Sequence, residues 1–126
     1  MPICNMPPTR TPVDKLPLQS QVFLILLALA DGDAHGYRLR QAVIERSDGQ
    51  IRLDPGSLYR LIARLEGEGL VAESDAPASA EKHDERRRYY TLTKRGRAAL
   101  VAETDRLAHL VTLSRATTGA KRAKHA

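Results

Sequence analysis

The chain has one cysteine, one phenylalanine and no tryptophan in 126 residues, and aromatic side chains make up only 4 % of it. With Cys4 alone, no disulfide within the chain and no cysteine-based metal site can form, which suits a reducing compartment and a cytoplasmic location. Long apolar runs are also lacking. The longest, Val22 to Ala30, falls far below the roughly 20 residues that span a bilayer. Arg10 and Lys15 precede that run and Ala28-Leu29-Ala30 closes it, as in a secretory leader. Against a leader, Asp14 and Pro17 intervene, and cleavage would remove the most hydrophobic segment of a small domain. His35, His83, His109 and His125 stand far apart, with no paired carboxylates at ligand spacing, so no metal is expected. A Ser/His/Asp set, a phosphate-cradling glycine loop and a carboxylate pair in an apolar setting are all missing. Neither an enzyme nor a cofactor is expected.

What is present begins with charge. Lys and Arg number 20 against 15 Asp and Glu, and the excess is local. Between Lys82 and Arg97, seven basic side chains face only Asp84 and Glu85, a net +5 that equals the charge of the whole chain. Such concentration favours a polyanionic partner. The length suits one compact domain, and apolar residues that are mostly Leu, Ala, Val and Ile suit packed helices.

The stretch Asp54 to Gly69 reads as a helix with both ends marked. Asp54 can accept from first-turn N–H groups, Pro55 suits the first helical position, and Gly69 can take the left-handed conformation beyond the last turn. Leu58, Leu61, Ile62 and Leu65 form one apolar stripe. The opposite face holds Gly56, Arg60, Ala63 and Gly67, flanked by Tyr59 and Arg64. Glycine inside a helix costs about 1 kcal/mol relative to alanine, so Gly67 is a poor choice for stability alone. A slim face carrying arginines fits a DNA major groove, where arginine bonds guanine edges or phosphates; an ordinary solvated surface is the alternative.

Around this helix the chain reads in order. Residues 1–16 form a proline-rich disordered arm. A first helix spans Pro17 to Ala30, apolar on every side, so that either later helices wrap it or a second copy of the chain covers it. A second helix runs from His35 to Ser47, with Leu39, Val43 and Tyr37 inward and Arg38, Arg40 and Arg46 outward. Ile51-Arg52-Leu53 alternates like a short strand. Leu70 to Ser74 and Arg87 to Leu92 read as a hairpin, with Tyr90 and Leu92 inward, Arg87 and Tyr89 outward, and a long polar tip. A last helix starts at the Thr93 cap and ends near Thr117, with a modest heptad seam of Leu100, Thr104, Leu107, Val111 and Ser114. It either closes the core of its own chain or packs with a partner subunit. Residues 118–126 form a disordered basic tail.

Three helices followed by a hairpin make a winged helix-turn-helix, so the expected class is mainly α with a small β-hairpin and a C-terminal dimerisation helix. The DNA-binding domain would span 17–92 and the dimerisation helix 93–117. In this order His35-Gly36-Tyr37-Arg38-Leu39, Pro55-Gly56-Ser57-Leu58-Tyr59, Leu65-Glu66-Gly67-Glu68-Gly69-Leu70 and Arg87 to Gly96 resemble the PadR family of transcriptional regulators, over about residues 18 to 100. The single C-terminal helix is similar to the family's short subgroup. Arg60 stands where the family usually has proline, and the wing tip from Ala76 to Glu85 is long and partly acidic.

The resemblance implies a homodimeric regulator, often a repressor, that binds a near-palindromic operator of double-stranded DNA and releases it to a small hydrophobic or aromatic effector. Ser57, Tyr59 and Arg64 would then lie on the DNA side, with Arg87 or Arg88 on the wing. Taken with the residue reading, the expected DNA-binding set is Pro55, Gly56, Ser57, Tyr59, Arg60, Arg64, Lys82, Arg86, Arg87 and Arg88. Phe23, Leu24, Leu27, Leu100, Leu107, Leu110 and Val111 are expected at the dimer interface. The rival reading is a winged helix that serves as a protein-interaction module, its basic wing meeting an acidic protein surface.

Overall fold

A computed structural model describes residues 16–78, 80 and 87–119. Its elements are α1 (Ser20–Ala30), β1 (Ala34–His35), α2 (Gly36–Arg46), α3 (Pro55–Gly67), β2 (Val71–Ser74), β3 (Tyr89–Leu92) and α4 (Lys94–Thr118). The fold is a winged helix with an added C-terminal helix. The expected arm and basic tail fall outside the described residues, apart from the few positions at their inner edges.

The core gathers on α1, which packs against α2, β3 and α4. Val22, Ile25, Leu26 and Leu29 of α1 are buried with Leu39 and Val43 of α2, Leu58, Ile62 and Leu65 of α3, and Tyr90. Phe23, Leu24 and Leu27, on the other side of α1, are only partly covered. The all-apolar helix is therefore half satisfied by its own chain. It begins at Ser20 rather than at Pro17, and Gln19 caps it without a side-chain bond.

One cap and two glycines fix the joint between α3 and α4. Thr93 Oγ1 accepts from the Gly96 amide at 2.9 Å and donates to the Gly69 carbonyl at 2.7 Å, so one hydroxyl starts α4 and ties down the exit of α3. Gly69 takes φ +80°, which side chains rarely adopt. At Gly96 a Cβ would run into the Leu70 carbonyl oxygen and come within 2.7 Å of Leu92 Cδ1, so only glycine lets α4 start this close to Leu70 and to the end of β3.

The sheet departs from the expected hairpin. It has three antiparallel strands in the order β1-β3-β2, with Ala34 opposite Tyr90 and Val71 opposite Leu92. Ile51-Arg52-Leu53 is not a strand. Its backbone is held by Ser47, whose Oγ accepts from the Ile51 amide at 2.9 Å, and by Arg40, which donates to the Leu53 carbonyl. The extra strand, β1, places β3 in the centre and covers one side chain of its outer face. Tyr89, expected outward, is 5 % exposed because the His35 ring of β1 covers it edge-on, with centroids 5.3 Å apart.

Candidate nucleic-acid interface

The exposed face of α3 starts at its cap. Asp54 Oδ1 accepts from the Ser57 amide at 2.7 Å, and this bond, helped by the nearby Arg60 and Arg40 charges, holds the Asp54 carboxyl below its ordinary range. Pro55, Gly56, Arg60, Ala63, Arg64 and Gly67 are exposed, while Ser57 is half-buried. Among the described residues, nothing beyond the neighbouring backbone of α3 itself lies within 4 Å of a Cβ built at Gly67, so the face is bare there. Arg60 Nη2 donates to Ser57 Oγ at 3.2 Å, and Arg64 pairs with Glu68 at 3.6 Å.

Tyr59 extends this face toward α2. Its ring lies across Gly36, where a Cβ would stand 2.6 Å from Tyr59 Cζ and 2.8 Å from Cε1. A side chain at Gly36 would push the ring away, so a glycine at the start of α2 sets where the Tyr59 hydroxyl points. The start of α2 is itself capped by His35, whose Nδ1 accepts from the Arg38 amide at 3.2 Å. Tyr37, expected in the core, is 51 % exposed. Its hydroxyl accepts from Gln41 at 3.0 Å, and the Arg87 guanidinium lies over its ring at 5.4 Å. A cation over an aromatic face is attracted by the ring quadrupole, so this contact ties the wing base to α2.

The wing base follows. Arg88 pairs with Glu73 across the β2–β3 ladder at 3.0 Å, and the Glu73 charge raises its pKa. Burial pushes the Tyr90 phenol up, against a lowering hydrogen bond from Arg88. Tyr59 thus joins α3 to the start of α2, and Arg87 joins Tyr37 of α2 to the wing base. Lys82 and Arg86, also expected here, lie outside the described residues. Sequence reading missed Tyr37 as a surface residue and His35 as a cap; only the three-residue step from His35 to Arg38 hinted at the latter.

The expected dimer residues divide. Leu107, Leu110 and Val111 are exposed, as are Val101 and Leu113 of the same helix, and Phe23, Leu24 and Leu27 are half-buried. Leu100, by contrast, is 6 % exposed and packs inside its own chain. From Leu107 onward every described residue of α4 is exposed, so the outer half of that helix stands clear of the domain. Where α1 meets α4, Phe23, Leu24, Ile51 and Leu107 line a cavity of about 340 Å³ whose polar members include Glu103 and Arg106. Arg106 donates from Nε and Nη2 to the two Glu103 carboxylate oxygens, both at 2.7 Å. Among the described residues, no group of His, Cys, Asp or Glu could hold a metal ion, and no helix is long and apolar enough to cross a membrane.

Comparison with known proteins adds the lineage of this arrangement. Residues 25–102 match the model of the transcriptional regulator PadR-like family. A 37.1 kDa protein of transposon TN4556 in Streptomyces fradiae is 42 % identical over 87 residues, 69 % of this chain, which spans only 23 % of that protein's length. Transcriptional regulator Rv3488 of Mycobacterium tuberculosis is 36 % identical over 86 residues, covering 68 % of this chain and 74 % of that one. Among solved structures, a PadR family transcription regulator from Clostridium difficile superposes with a TM-score of 0.67 at 23 % identity, over 79 % of this chain and 99 % of that one. That last likeness speaks for the fold alone.

Proposed function

The chain belongs to the PadR-like family of transcriptional regulators, which are not enzymes, and from that premise we propose that it represses transcription as a cytoplasmic homodimer on an inverted-repeat operator. The observation that carries the reading is the pair of contacts that ties α3 to α2 and α2 to the wing, the Tyr59 ring across Gly36 and the Arg87 guanidinium over Tyr37, beside the exposed face of α3 that carries Arg60. In a winged helix, α3 enters the major groove and the wing lies along the neighbouring backbone. Arg60 and Arg64 then reach base edges or phosphates, Tyr59 donates to a phosphate, and Arg87 and Arg88 neutralise backbone charge. Lys82 and Arg86 belong to the same wing by sequence.

Dimerisation uses the free half of α4. Leu107, Leu110 and Val111 at helical spacing offer an apolar seam, and Phe23, Leu24 and Leu27 of the partner's α1 supply the matching surface. Leu100 takes no part in it. Residues 17–92 are then the DNA-reading unit and 93–117 the dimerising helix. The cavity between α1 and α4 adjoins this seam, and its apolar walls with Arg106 suit a small hydrophobic or aromatic effector whose binding would alter the spacing of the two DNA-reading units.

Selection of bound duplexes from a random library by the purified protein tests the reading. An enriched motif with two inverted half-sites about 10 base pairs apart is expected. A protein-interaction module would enrich none.

A further inference from the structure

At the N-terminal end of α3, Arg60 of the second turn reaches the side chains of the first. Arg60 Nη2 donates to Ser57 Oγ at 3.2 Å. A Cβ built at Gly56 would stand 3.4 Å from Asp54 Oδ1 and 3.5 Å from Arg60 Nη1, so the carboxylate and the guanidinium both lie beside the same side-chain-free position. Arg60, though exposed, therefore runs back along the helix surface toward its N-terminal end.

From this geometry we infer that Arg60, positioned by Ser57 and flanked by Asp54, is a specificity-determining residue that reads one guanine in each operator half-site. The inference rests on α3 being the helix that enters the groove. Three physical points separate a base edge from a phosphate as its target. The N-terminal part of a recognition helix is the part that meets base edges. The Ser57 bond uses one of five N–H donors and restrains the fork, leaving paired donors for guanine O6 and N7. The Asp54 carboxylate offsets the arginine's charge and repels phosphate. It leaves untouched the planar donor geometry that guanine recognition requires. Gly56 keeps the turn slim enough for all three groups to approach the base pairs together.

The test compares the wild-type protein with Arg60→Lys and Asp54→Asn on the selected operator, on duplexes altered at single base pairs, and on random duplex. Lysine keeps the charge and loses the fork; asparagine keeps a good helix cap and loses the charge. At one position per half-site, the wild-type should prefer guanine by roughly 5- to 100-fold. Arg60→Lys should lose that preference at that one position. Asp54→Asn should bind random duplex more tightly, with a steeper salt dependence, and discriminate less at the same position. Unchanged preference at every position in Arg60→Lys would overturn the inference. So would an Asp54→Asn protein whose salt dependence and random-duplex affinity match the wild-type. A wild-type protein that enriches no motif would instead remove the groove reading itself, a distinguishable failure.

Discussion

Replacing Gly36 by alanine separates the positioning of Tyr59 from the stability of the fold. The new methyl group would lie 2.6 Å from Tyr59 Cζ and 2.8 Å from Cε1, too close for any real contact, so the ring must move. Moving it is easy, because Tyr59 is 48 % exposed and the colliding atoms are the far end of its side chain. Overpacking a closed core costs about 1–3 kcal/mol, and a half-exposed ring that can swing into water should fall at or below the bottom of that range. DNA binding should suffer more. A hydroxyl–phosphate hydrogen bond is worth about 0.5–1.5 kcal/mol, or 1.5–3 kcal/mol with the charge on phosphate counted, and a dimer loses it twice. Operator affinity should fall roughly 100-fold while the melting temperature moves by only a few degrees. Fluorescence anisotropy at fixed salt, with thermal unfolding of the same samples, gives both numbers. The Gly36→Ala/Tyr59→Ala double variant completes the cycle: it should bind no worse than Tyr59→Ala, because the alanine at 36 acts only through the tyrosine. Losses that add would refute the reasoning, as would unfolding comparable to that of a core truncation.

Other expectations follow from the same contacts. Glu103, 2 % exposed and bonded twice by Arg106, should cost about 2–4 kcal/mol in denaturant unfolding when changed to alanine, below the most severe buried-pair cases because Arg106 still reaches water. The Arg106 hydrogen bonds hold the Glu103 carboxyl below its ordinary 4.5, so its contribution is complete above that pH and lost as pH falls through the lower folded value. The stability gap between wild-type and Glu103→Gln should therefore narrow on acidification below about pH 4.5; a gap independent of pH would contradict the assignment. Leu110→Glu on the exposed seam of α4 should convert the dimer to monomer in sedimentation at micromolar concentration, and an unchanged mass would move the interface elsewhere. Arg87→Ala should flatten the salt dependence of operator binding by roughly 0.9 per protomer while leaving the enriched motif intact.

Local chemistry explains which parts of the fold could be read from the chain and which could not. The Asp54 and Thr93 caps each act through the amide three residues on, and Gly69 ends α3 through its own backbone, so all three were legible. Strand β1 was not. Two residues, Ala34 and His35, carry no strand pattern and become one only by pairing with Tyr90 and Tyr89 more than fifty positions away. The same long-range pairing buried Tyr89, and Tyr37, which helical periodicity placed inward, instead meets Arg87 at the surface. Ile51-Arg52-Leu53 misled in the opposite direction, since its alternation is real but its backbone groups are taken by Ser47 and Arg40. For the candidate interface, α3 supplied a clear pattern from 3.6-residue periodicity alone. Its continuation onto α2 needed three dimensions.

The claim on which the account depends is that two copies present their α3 faces to one duplex. The mass of the complex formed with the enriched operator, measured together with a hydroxyl-radical footprint, tests it most directly. Two chains per duplex, protecting two segments centred about 10 base pairs apart, are predicted. One chain per duplex, or protection without a fixed register, would contradict it.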